Sequence, residues 1–553
     1  MLKLYNILQT YLVILTDSKS ALQHLARCAS GHRGVSIAYA VLRKIHSLSL
    51  GNINIVLQWI PSHIGLRGNV EADRLAKIAA NSGFVIYIFP INSEILQKFK
   101  DYCYDKWKDY FNEQSKLKGI WYKIIQNEPP RLPWCDSNAI SRGRYCCYLI
   151  TDPEDALTAA NACLQKHYAY DYAKPWLGEG LITSSGEVWK RHRKLLTPAF
   201  SLPVMLNFLE VFNSQSRQLV QNLKAEVASG PFDHTGYLRT IALETFCLTA
   251  FGITGFEDTN FIQIYMHAVD KILSIVTQRF QNFWLQSDVI FKLCGLKKQH
   301  DELVKIVNDM SDKVIQKKKA ARMNGDGTKY KPFLDLLLDL SEDNALTDKE
   351  IREEVDTAIV TGFDTSSSLL SYIMILLGTH PEVQEKLYQE INQVFDTDRD
   401  VEKEDLQKLV YTEAVIKESL RIFTTGPVTL RYVDRDVKLK NYTMRAGSQC
   451  VLLLFGAHRD PVWGKDVEQF RPERWMDPGM PANPCAFFGF SLGKRSCLGK
   501  TYAMISMKTT LVHFLRRYKV TADDSNLELR LDFLLKPVSG HEITLEERVS
   551  ISY

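Results

Sequence analysis

The chain has 553 residues and a formal net charge of +4. At roughly 100–200 residues per domain this length allows several domains, and so small a charge does not by itself indicate a nucleic-acid or membrane-binding protein. The cysteines number 11 and are irregularly spaced, which excludes a disulfide framework, so we expect mostly reduced and buried thiols. The opening apolar run is interrupted by Lys3, Asn6 and Gln9. It predicts a buried strand rather than a signal peptide or a spanning helix.

The segment 1–83 alternates strand and helix patterns, which indicates a partial α/β domain. YLVILTD predicts a strand that ends at Asp17, and SKSALQHLARCA predicts a helix capped by Ser18 or Ser20. INIVLQWIP predicts a second strand, and VEADRLAKIAANSG predicts a helix that ends near Gly83. The following segment 84–144 reads as a linker, with a helix and a loop predicted over residues 84–142.

From about Tyr145 the pattern changes to one large, mainly α-helical domain with small β-sheets, spanning 145–553. Long amphipathic helical segments continue to about residue 422. Short strands follow at PVTLRYV, VKLKNYTM and QCVLLLFG, and a glycine-rich loop over 489–499 precedes one more helix. The tail DFLLKPVSGHEITLEER predicts a terminal hairpin, and MNGDGTKY predicts a solvated loop.

The segment FSLGKRSCLG has the features of a metal-binding thiolate loop. Its fixed positions are Phe490, Gly493, Arg495, Cys497 and Gly499. Glycines allow a tight turn and a close approach of the backbone to a flat cofactor, and N–H groups at the start of the next helix can stabilise a thiolate. The arginine can pair with a carboxylate of the cofactor. A lone cysteine in a glycine turn would more often be structural, but the complete pattern favours a ligand.

This loop resembles the cysteine loop of the cytochrome P-450 family, F-x-x-G-x-R-x-C-x-G, with every fixed position filled. The resemblance covers about residues 146–545 and implies a haem b cofactor with Cys497 as the axial ligand of the iron. The family usually has proline before the phenylalanine, where this chain has Gly489. We expect that change to loosen the loop and leave the ligand in place.

Two further motifs agree with the resemblance in order and spacing. KESLR followed by FRPERW resembles the family's structural triad, which implies Glu418, Arg421 and Arg474. By itself, the first pair is an ordinary helical salt bridge. The triad would hold the core around the cysteine loop and take no part in chemistry.

The basic helix EVWKRHRKLLTPAF carries Trp189 and Arg193 four positions apart. Alone it would read as a solvated helix. It resembles the family's W-x-x-x-R helix, which implies that both residues contact haem propionates, and Arg431 in PVTLRYV matches another propionate-binding position. A guanidinium fork suits a carboxylate.

The apolar segment EEVDTAIVTGFDTSSSLLSYIMILL is interrupted by Gly362, Asp364 and Thr365. A buried acid and alcohol are costly unless they have a use, and the alternative is a solvent-facing stripe. The segment resembles the family's oxygen-activation helix, which implies that Thr365 hydrogen-bonds dioxygen at the iron and that Asp364 relays protons. The likeness is to the family-4 clan of microsomal members. Many of these carry a glutamate that can link to haem, at the position of Thr361 here, so we expect non-covalent haem.

The segment 1–83 resembles the C-terminal part of a retrotransposon ribonuclease H domain. WIPSHIGLRGNVEADRLAK and ILTDSKSAL carry the likeness, with His63 at the loop position and Asp17 and Asp73 as two of the metal-binding acids. The remaining acids are missing, so we expect no two-metal nuclease activity. The family's membrane anchor, hinge and first sheet strands are not recognised before Tyr145.

The sequence therefore predicts a haem-thiolate monooxygenase that acts on a small hydrophobic substrate such as a fatty acid, a terpenoid or steroid-like compound or a xenobiotic. The resemblance implies O2 as co-substrate, NADPH–cytochrome P-450 reductase as electron donor and the cytosolic face of the endoplasmic reticulum as location. Lys494, Lys500 and Lys508 form a candidate basic docking face. The alternatives are a retroelement nuclease and a non-functional fusion product.

Overall fold

The computed structural model describes residues 11–16, 54–59, 139–142, 145–253, 259–324, 332–478, 481 and 483–548. The chain divides into two compact units: the first comprises Met1–Gln114 with Glu128–Arg131, and the second comprises Ser115–Asn127 with Leu132–Tyr553.

The described part of the first unit is a pair of parallel strands, β1 (Tyr11–Thr16) and β2 (Asn54–Trp59). Tyr11 pairs with Asn54, and the register continues to Thr16 opposite Trp59. Both strands are confirmed where the apolar runs predicted them. The predicted helices, the vestigial acids Asp17 and Asp73, and His63 lie outside the described residues, as does most of MNGDGTKY.

The second unit is mainly helical, as the sequence predicted. Its described α-helices are α1 (Pro153–Ala162), α2 (Lys174–Leu177), α3 (Gly186–Leu196), α4 (Leu202–Leu206), α5 (Leu209–Leu223), α6 (Thr235–Phe246), α7 (Thr259–Gln281), α8 (Asp288–Leu293), α9 (Leu296–Met323), α10 (Phe333–Glu342), α11 (Asp348–Thr379), α12 (Pro381–Val394), α13 (Val410–Ile422), α14 (Leu454–Ala457) and α15 (Lys500–Arg517).

The strands of the second unit form small sheets. They are β3 (Ala139–Arg142), β4 (Tyr145–Ile150), β5 (Gln165–Lys166), β6 (Val428–Tyr432), β7 (Val437–Lys438), β8 (Thr443–Met444), β9 (Gln449–Leu453), β10 (Tyr518–Ala522), β11 (Glu528–Asp532), β12 (Leu534–Ser539) and β13 (Ile543–Glu547). The largest has five strands in the order β3-β4-β9-β6-β5. Strand β3 shows that the last four residues of the segment 84–142 form a strand, not part of the expected helix and loop, and that a sheet strand precedes Tyr145. The rest of that segment lies outside the described residues. Strand β3 pairs antiparallel with β4, so the sheet supplies the hydrogen bonds that a loop would lack.

Helix α11 runs through the core and packs against α6, α9 and α13. It begins with a capping box, in which Thr347 and Glu350 bond each other's backbone N–H groups, and it ends at Thr379 before Pro381. It is the one helix in the described residues long and apolar enough to cross a membrane, and 83% of its most apolar window is buried in the protein. The burial identifies it as a core helix of this fold.

The tail pairs differently from the predicted hairpin. β12 pairs antiparallel with the preceding β11, and β13 pairs antiparallel with β10. Phe533 adopts φ 67°, and this left-handed residue makes the tight turn between β11 and β12. The strands are where the sequence placed them, but β12 and β13 lie in separate sheets.

Candidate active site

The cysteine loop between β9 and α15 is held by its own backbone. The Cys497 N–H donates to the Phe490 carbonyl at 2.9 Å, and the Ser496 N–H donates to the Gly493 carbonyl at 3.1 Å. Gly493 lies at φ +69°, and a Cβ there would stand 3.0 Å from Ala160. Both constraints require glycine at this turn. The loop therefore presents the cysteine directly before the first turn of α15.

Gly489 stands where the family usually has proline, and the space next to it is filled. A Cβ at this position would lie 2.5 Å from Cζ of Phe487 and 2.6 Å from Cδ2 of Leu420. The space that a proline ring would need is therefore occupied by these two side chains.

The loop opens onto a cavity of about 360 Å³ in the second unit. Its walls are mostly apolar and include Leu196, Phe246, Ala358 and Leu369. Cys497 is accessible because it faces this cavity. Burial raises the pKa of its thiol above the ordinary value, and the Gly499 N–H and the charges of Arg193 and Lys500 offset only part of this increase. The expected backbone support for a thiolate is present, and a bound metal cation would lower the pKa.

The cationic residues expected to bind a cofactor carboxylate all line the cavity, together with Trp189. Arg431 is 2% exposed; its Nη1 donates to Thr429 Oγ1 at 2.7 Å, and its Nε has no partner. Arg193 donates to the Ser496 carbonyl at 2.9 Å. Their fixed positions and spare donors suit an anionic group inside the cavity.

Arg495 is more fully engaged than the sequence suggested. It donates to the carbonyls of Leu164 at 2.7 Å and Ser184 at 2.8 Å, and its guanidinium lies 4.7 Å from the ring centroid of Trp189. Burial and the charge of Arg431 lower its pKa to about 9. It ties the cysteine loop to the segment before α3 as well as facing the cavity.

Lys166 is a cavity residue that the sequence did not reveal. It lies on β5 and lines the cavity, with Nζ 3.9 Å from the ring centroid of Tyr170. Burial lowers its pKa well below the ordinary value, and Arg431 and Arg495 lower it further. A two-residue strand gives no periodic signal, so no pattern could have indicated this lysine.

Helix α11 contributes Thr361, Gly362 and Thr365 to the cavity wall. Thr365 Oγ1 donates to the Thr361 carbonyl at 2.8 Å. A Cβ on Gly362 would lie 2.1 Å from the Phe246 ring, so glycine permits the close approach of α6. The alcohol thus faces the same cavity as the Cys497 sulfur.

Residues 154–545 of this chain match the family model for cytochrome P-450. The chain belongs to the cytochrome P-450 family. Cytochrome P-450 4c3 of Drosophila melanogaster is 34% identical over 74% of this chain and 82% of its own length. Cytochrome P-450 4V2 of Mus musculus is 34% identical over 72% of this chain and 80% of its own length. Cytochrome P-450 4c21 of Blattella germanica is 34% identical over 72% of this chain and 83% of its own length.

Haem b, the cofactor of the cytochrome P-450 family, fits the groups in the cavity. Apolar walls suit the macrocycle, and the partnerless Nε of Arg431 suits a propionate. In the described part of the chain no three His, Cys, Asp or Glu side chains converge as a metal site. A porphyrin would supply the remaining ligands of an iron bound by the Cys497 thiolate. The chain is a haem-thiolate monooxygenase.

The cytochrome P-450 triad is assembled and fully buried. Arg421 donates to Glu418 from Nε at 2.9 Å and from Nη2 at 2.7 Å, and Arg474 Nε donates to Glu418 at 3.3 Å. Arg421 also binds the carbonyls of His458 and Val467. These bonds connect α13 to the long segment that leads to the cysteine loop.

Asp364 is placed away from the cavity wall. Its side chain is 0% exposed and forms ion pairs with Lys536 at 3.0 Å and Arg239 at 3.3 Å. Asp270 pairs with the same two cations, at 2.8 Å and 2.7 Å. The four charges form a closed cluster that joins α6, α7, α11 and β12. In this arrangement the carboxylate is held by cations instead of being open to dioxygen.

Two expectations about surface chemistry need correction. Lys508 is 6% exposed, and its Nζ lies 2.8 Å from both the Leu406 carbonyl and Glu413 Oε2, so it belongs to no docking face. Lys494 and Lys500 are exposed as expected. Among the cysteines whose side chains are described, Cys163, Cys247 and Cys450 are buried, but Cys294 lies on the surface, so burial is less general than predicted.

Proposed function

We propose that this cytochrome P-450 oxidises a small hydrophobic molecule with electrons that an NADPH-dependent reductase delivers. The single observation that carries the proposal is that Cys497 and Thr365 face one apolar cavity. An apolar cavity selects substrates by burial of apolar surface, and the substrate class covers fatty acids, terpenoid or steroid-like compounds and xenobiotics.

Each cavity residue has a task toward a bound haem. Cys497 would ligate the iron, and the Gly499 N–H would support its negative charge. The propionates would be held by Arg193, Arg431, Arg495 and Trp189. When bound, the haem supplies an iron centre that activates O2, favoured by the electron density of the thiolate.

The oxygen chemistry needs protons at controlled positions. Thr365 Oγ1 donates to the Thr361 carbonyl, and it would exchange this bond for one to dioxygen or water in the cavity. The family resemblance implies that Asp364 relays protons, but its carboxylate is ion-paired with Lys536 and Arg239 behind the cavity wall. It fixes α11 through these pairs, and it would have to leave them and take up a proton before it could pass one on. Thr361 offers no carboxylate for an ester bond to the haem, so the cofactor is held non-covalently.

The location and the electron donor follow from the family resemblance. We place the enzyme on the cytosolic face of the endoplasmic reticulum, with NADPH–cytochrome P-450 reductase as its partner. Lys494 and Lys500 flank Cys497 in sequence and are exposed, so they can attract an acidic partner surface.

The segment 1–83 is proposed to be a partial ribonuclease H-like fragment joined to the haem domain. The parallel pairing of β1 and β2 supports an α/β origin. With only Asp17 and Asp73 matched, it lacks a complete two-metal site, and we expect no Mg²⁺-dependent cleavage of an RNA–DNA hybrid. Cleavage that is lost in Asp73→Ala would instead support the nuclease alternative.

The test of the oxidation is isotopic. The full chain, loaded with haem and mixed with reductase and NADPH, is given dodecanoic acid or progesterone under ¹⁸O₂. Mass spectrometry should find one ¹⁸O atom in the product and the other in water. Product oxygen that derives from water would contradict the proposal.

A further inference from the structure

A buried histidine–glutamate pair joins α3 to α11 at the edge of the cavity. His192 Nδ1 lies 2.6 Å from Glu354 Oε1, and the two side chains are 0% and 2% exposed. The other carboxylate oxygen accepts the Leu181 N–H at 3.2 Å. Imidazole is the side chain whose charge changes most readily near neutral pH, so this contact can transfer a proton as well as fix two helices.

The pair is connected to the protein surface. His192 Nε2 lies 3.3 Å from Oε1 of Glu350, whose side chain is 18% exposed, and Glu350 is ion-paired with the half-exposed Arg191. Burial lowers the pKa of His192, but the hydrogen bond and charge of Glu354 outweigh it, so the net shift is upward. Burial raises the pKa of Glu354, which lets this carboxyl hold a proton nearer neutral pH than a free one.

The pair also opens into the cavity. Glu354, Thr357, Thr361 and Thr365 follow each other along α11 at intervals of three or four residues, and all line the cavity. Such neighbours have Cβ atoms about 5–6 Å apart, a gap that one water can bridge. Thr357 Oγ1 is buried without a hydrogen-bond partner, and a Cβ on Gly180 would lie 2.2 Å from it. The hydroxyl is therefore accommodated but unsatisfied.

Among the described residues that line the cavity, Glu354 is the only carboxylic acid. The acid next to Thr365 in sequence, Asp364, is occupied by Lys536 and Arg239. A proton source inside the cavity is needed because NADPH-driven insertion of one oxygen atom consumes two protons with two electrons. This requirement depends on the proposed function.

We propose that Glu350, His192 and Glu354 form a proton entry path from the surface to the cavity, which Thr357, Thr361 and Thr365 continue along α11. One proton arrives at His192 Nε2, and the proton on Nδ1 passes to Glu354. The starting tautomer is restored between turnovers by proton exchange with water, in which Nε2 loses its proton and Nδ1 gains one. Glu354 then delivers its proton through the hydroxyl groups and bridging water to dioxygen next to Thr365.

The test compares Glu354→Gln and His192→Gln with two matched controls in the haem-loaded full chain. Glu353 is 4% exposed and also accepts a backbone N–H, from Glu179 at 3.1 Å, but does not line the cavity. His513 is 2% exposed and bonds Asn213 at 2.8 Å, also away from the cavity. Glu353→Gln and His513→Gln therefore report on the loss of a buried polar contact alone.

Two reactions separate proton supply from haem binding. With NADPH, reductase and dodecanoic acid, Glu354→Gln and His192→Gln should lower oxidation by about 100-fold and raise the solvent deuterium isotope effect. With hydrogen peroxide, which supplies the oxygen atom and both protons that leave as water, the rate should stay at the wild-type level. An equal loss in both reactions, or an equal loss in the controls, would show a structural role and overturn the path.

Spectroscopy gives a readout that needs no substrate. Infrared difference spectra after photolysis of the CO complex should show a carboxyl band that shifts in D2O and disappears in Glu354→Gln but not in Glu353→Gln. The red-shifted Soret band of the CO complex must persist in these variants. If Glu354→Gln loses this Soret band, Glu354→Asp should regain it, and loss of the Soret band in both variants would overturn the path. Absence of the red-shifted Soret band in the wild type would refute the proposed function itself.

Discussion

Replacing Glu418 by glutamine would leave two buried guanidinium groups without their shared counter-ion. The carboxylate accepts bonds from Arg421 and Arg474, and in addition from the Arg471 N–H at 3.1 Å and Trp475 Nε1 at 3.0 Å. All three charged side chains of the triad are 0% exposed. Removing one member of a buried ion pair costs about 3–5 kcal/mol.

The structure favours the lower end of that range. Asp466 lies 2.9 Å from Arg474 and still compensates its charge in the variant, and glutamine keeps one acceptor oxygen. We therefore expect Glu418→Gln to reduce the free energy of unfolding by about 3 kcal/mol. Since domains have only about 5–15 kcal/mol in total, this is a large fraction of the stability.

Urea unfolding of the haem-loaded protein, followed by tryptophan fluorescence and haem absorbance, measures this loss. The control is Glu187→Gln, because Glu187 pairs with Lys190 at the surface, with exposures of 86% and 53%. That variant should change the free energy of unfolding by less than about 1 kcal/mol. Equal effects of the two substitutions would refute the view that the buried triad holds the domain together.

Three further outcomes are expected. Arg431→Lys removes the guanidinium fork, so the haem-to-protein ratio after gel filtration should fall several-fold; an unchanged ratio would contradict propionate binding. Gly362→Ala should cost about 1–3 kcal/mol in urea unfolding because its methyl group meets Phe246, and no change would show that α6 can move aside. Hydrogen bonds from Arg399 lower the pKa of Asp405 from 3.8 to about 2, so this pair contributes stability above pH 3.8 that is lost as the pH falls to 2. Arg399→Gln should reduce that contribution, because the Glu402 N–H and Lys408 still bond Asp405; identical acid unfolding curves would contradict the assignment.

The cysteine loop could be predicted because its information is local. The spacing of Gly493, Cys497 and Gly499 fixes a turn whose bonds are made within the loop, and the structure has those bonds. The long apolar run of α11 was likewise sufficient to predict a buried helix. In both cases the residues that decide the structure are neighbours in sequence.

What could not be predicted depends on partners that are distant in sequence. The segment around Asp364 does not show that Arg239 and Lys536 approach it, and nothing near Lys508 shows that Glu413 and Leu406 cover it. Nothing near Gly489 in the sequence shows that the Leu420 side chain fills the space next to it. The pairing of β12 with β11 likewise depends on a left-handed turn at Phe533, a conformation that a phenylalanine seldom adopts.

The central claim, that Cys497 is the sulfur on the haem iron, is tested most directly by the CO spectrum of the reduced protein. The wild type should show the strongly red-shifted Soret band of a thiolate-ligated haem. Cys497→Ala should lose it, and Cys485→Ala, which changes a cysteine that does not line the cavity, should keep it. A band that persists in Cys497→Ala, or a wild-type spectrum typical of histidine ligation, would contradict the account.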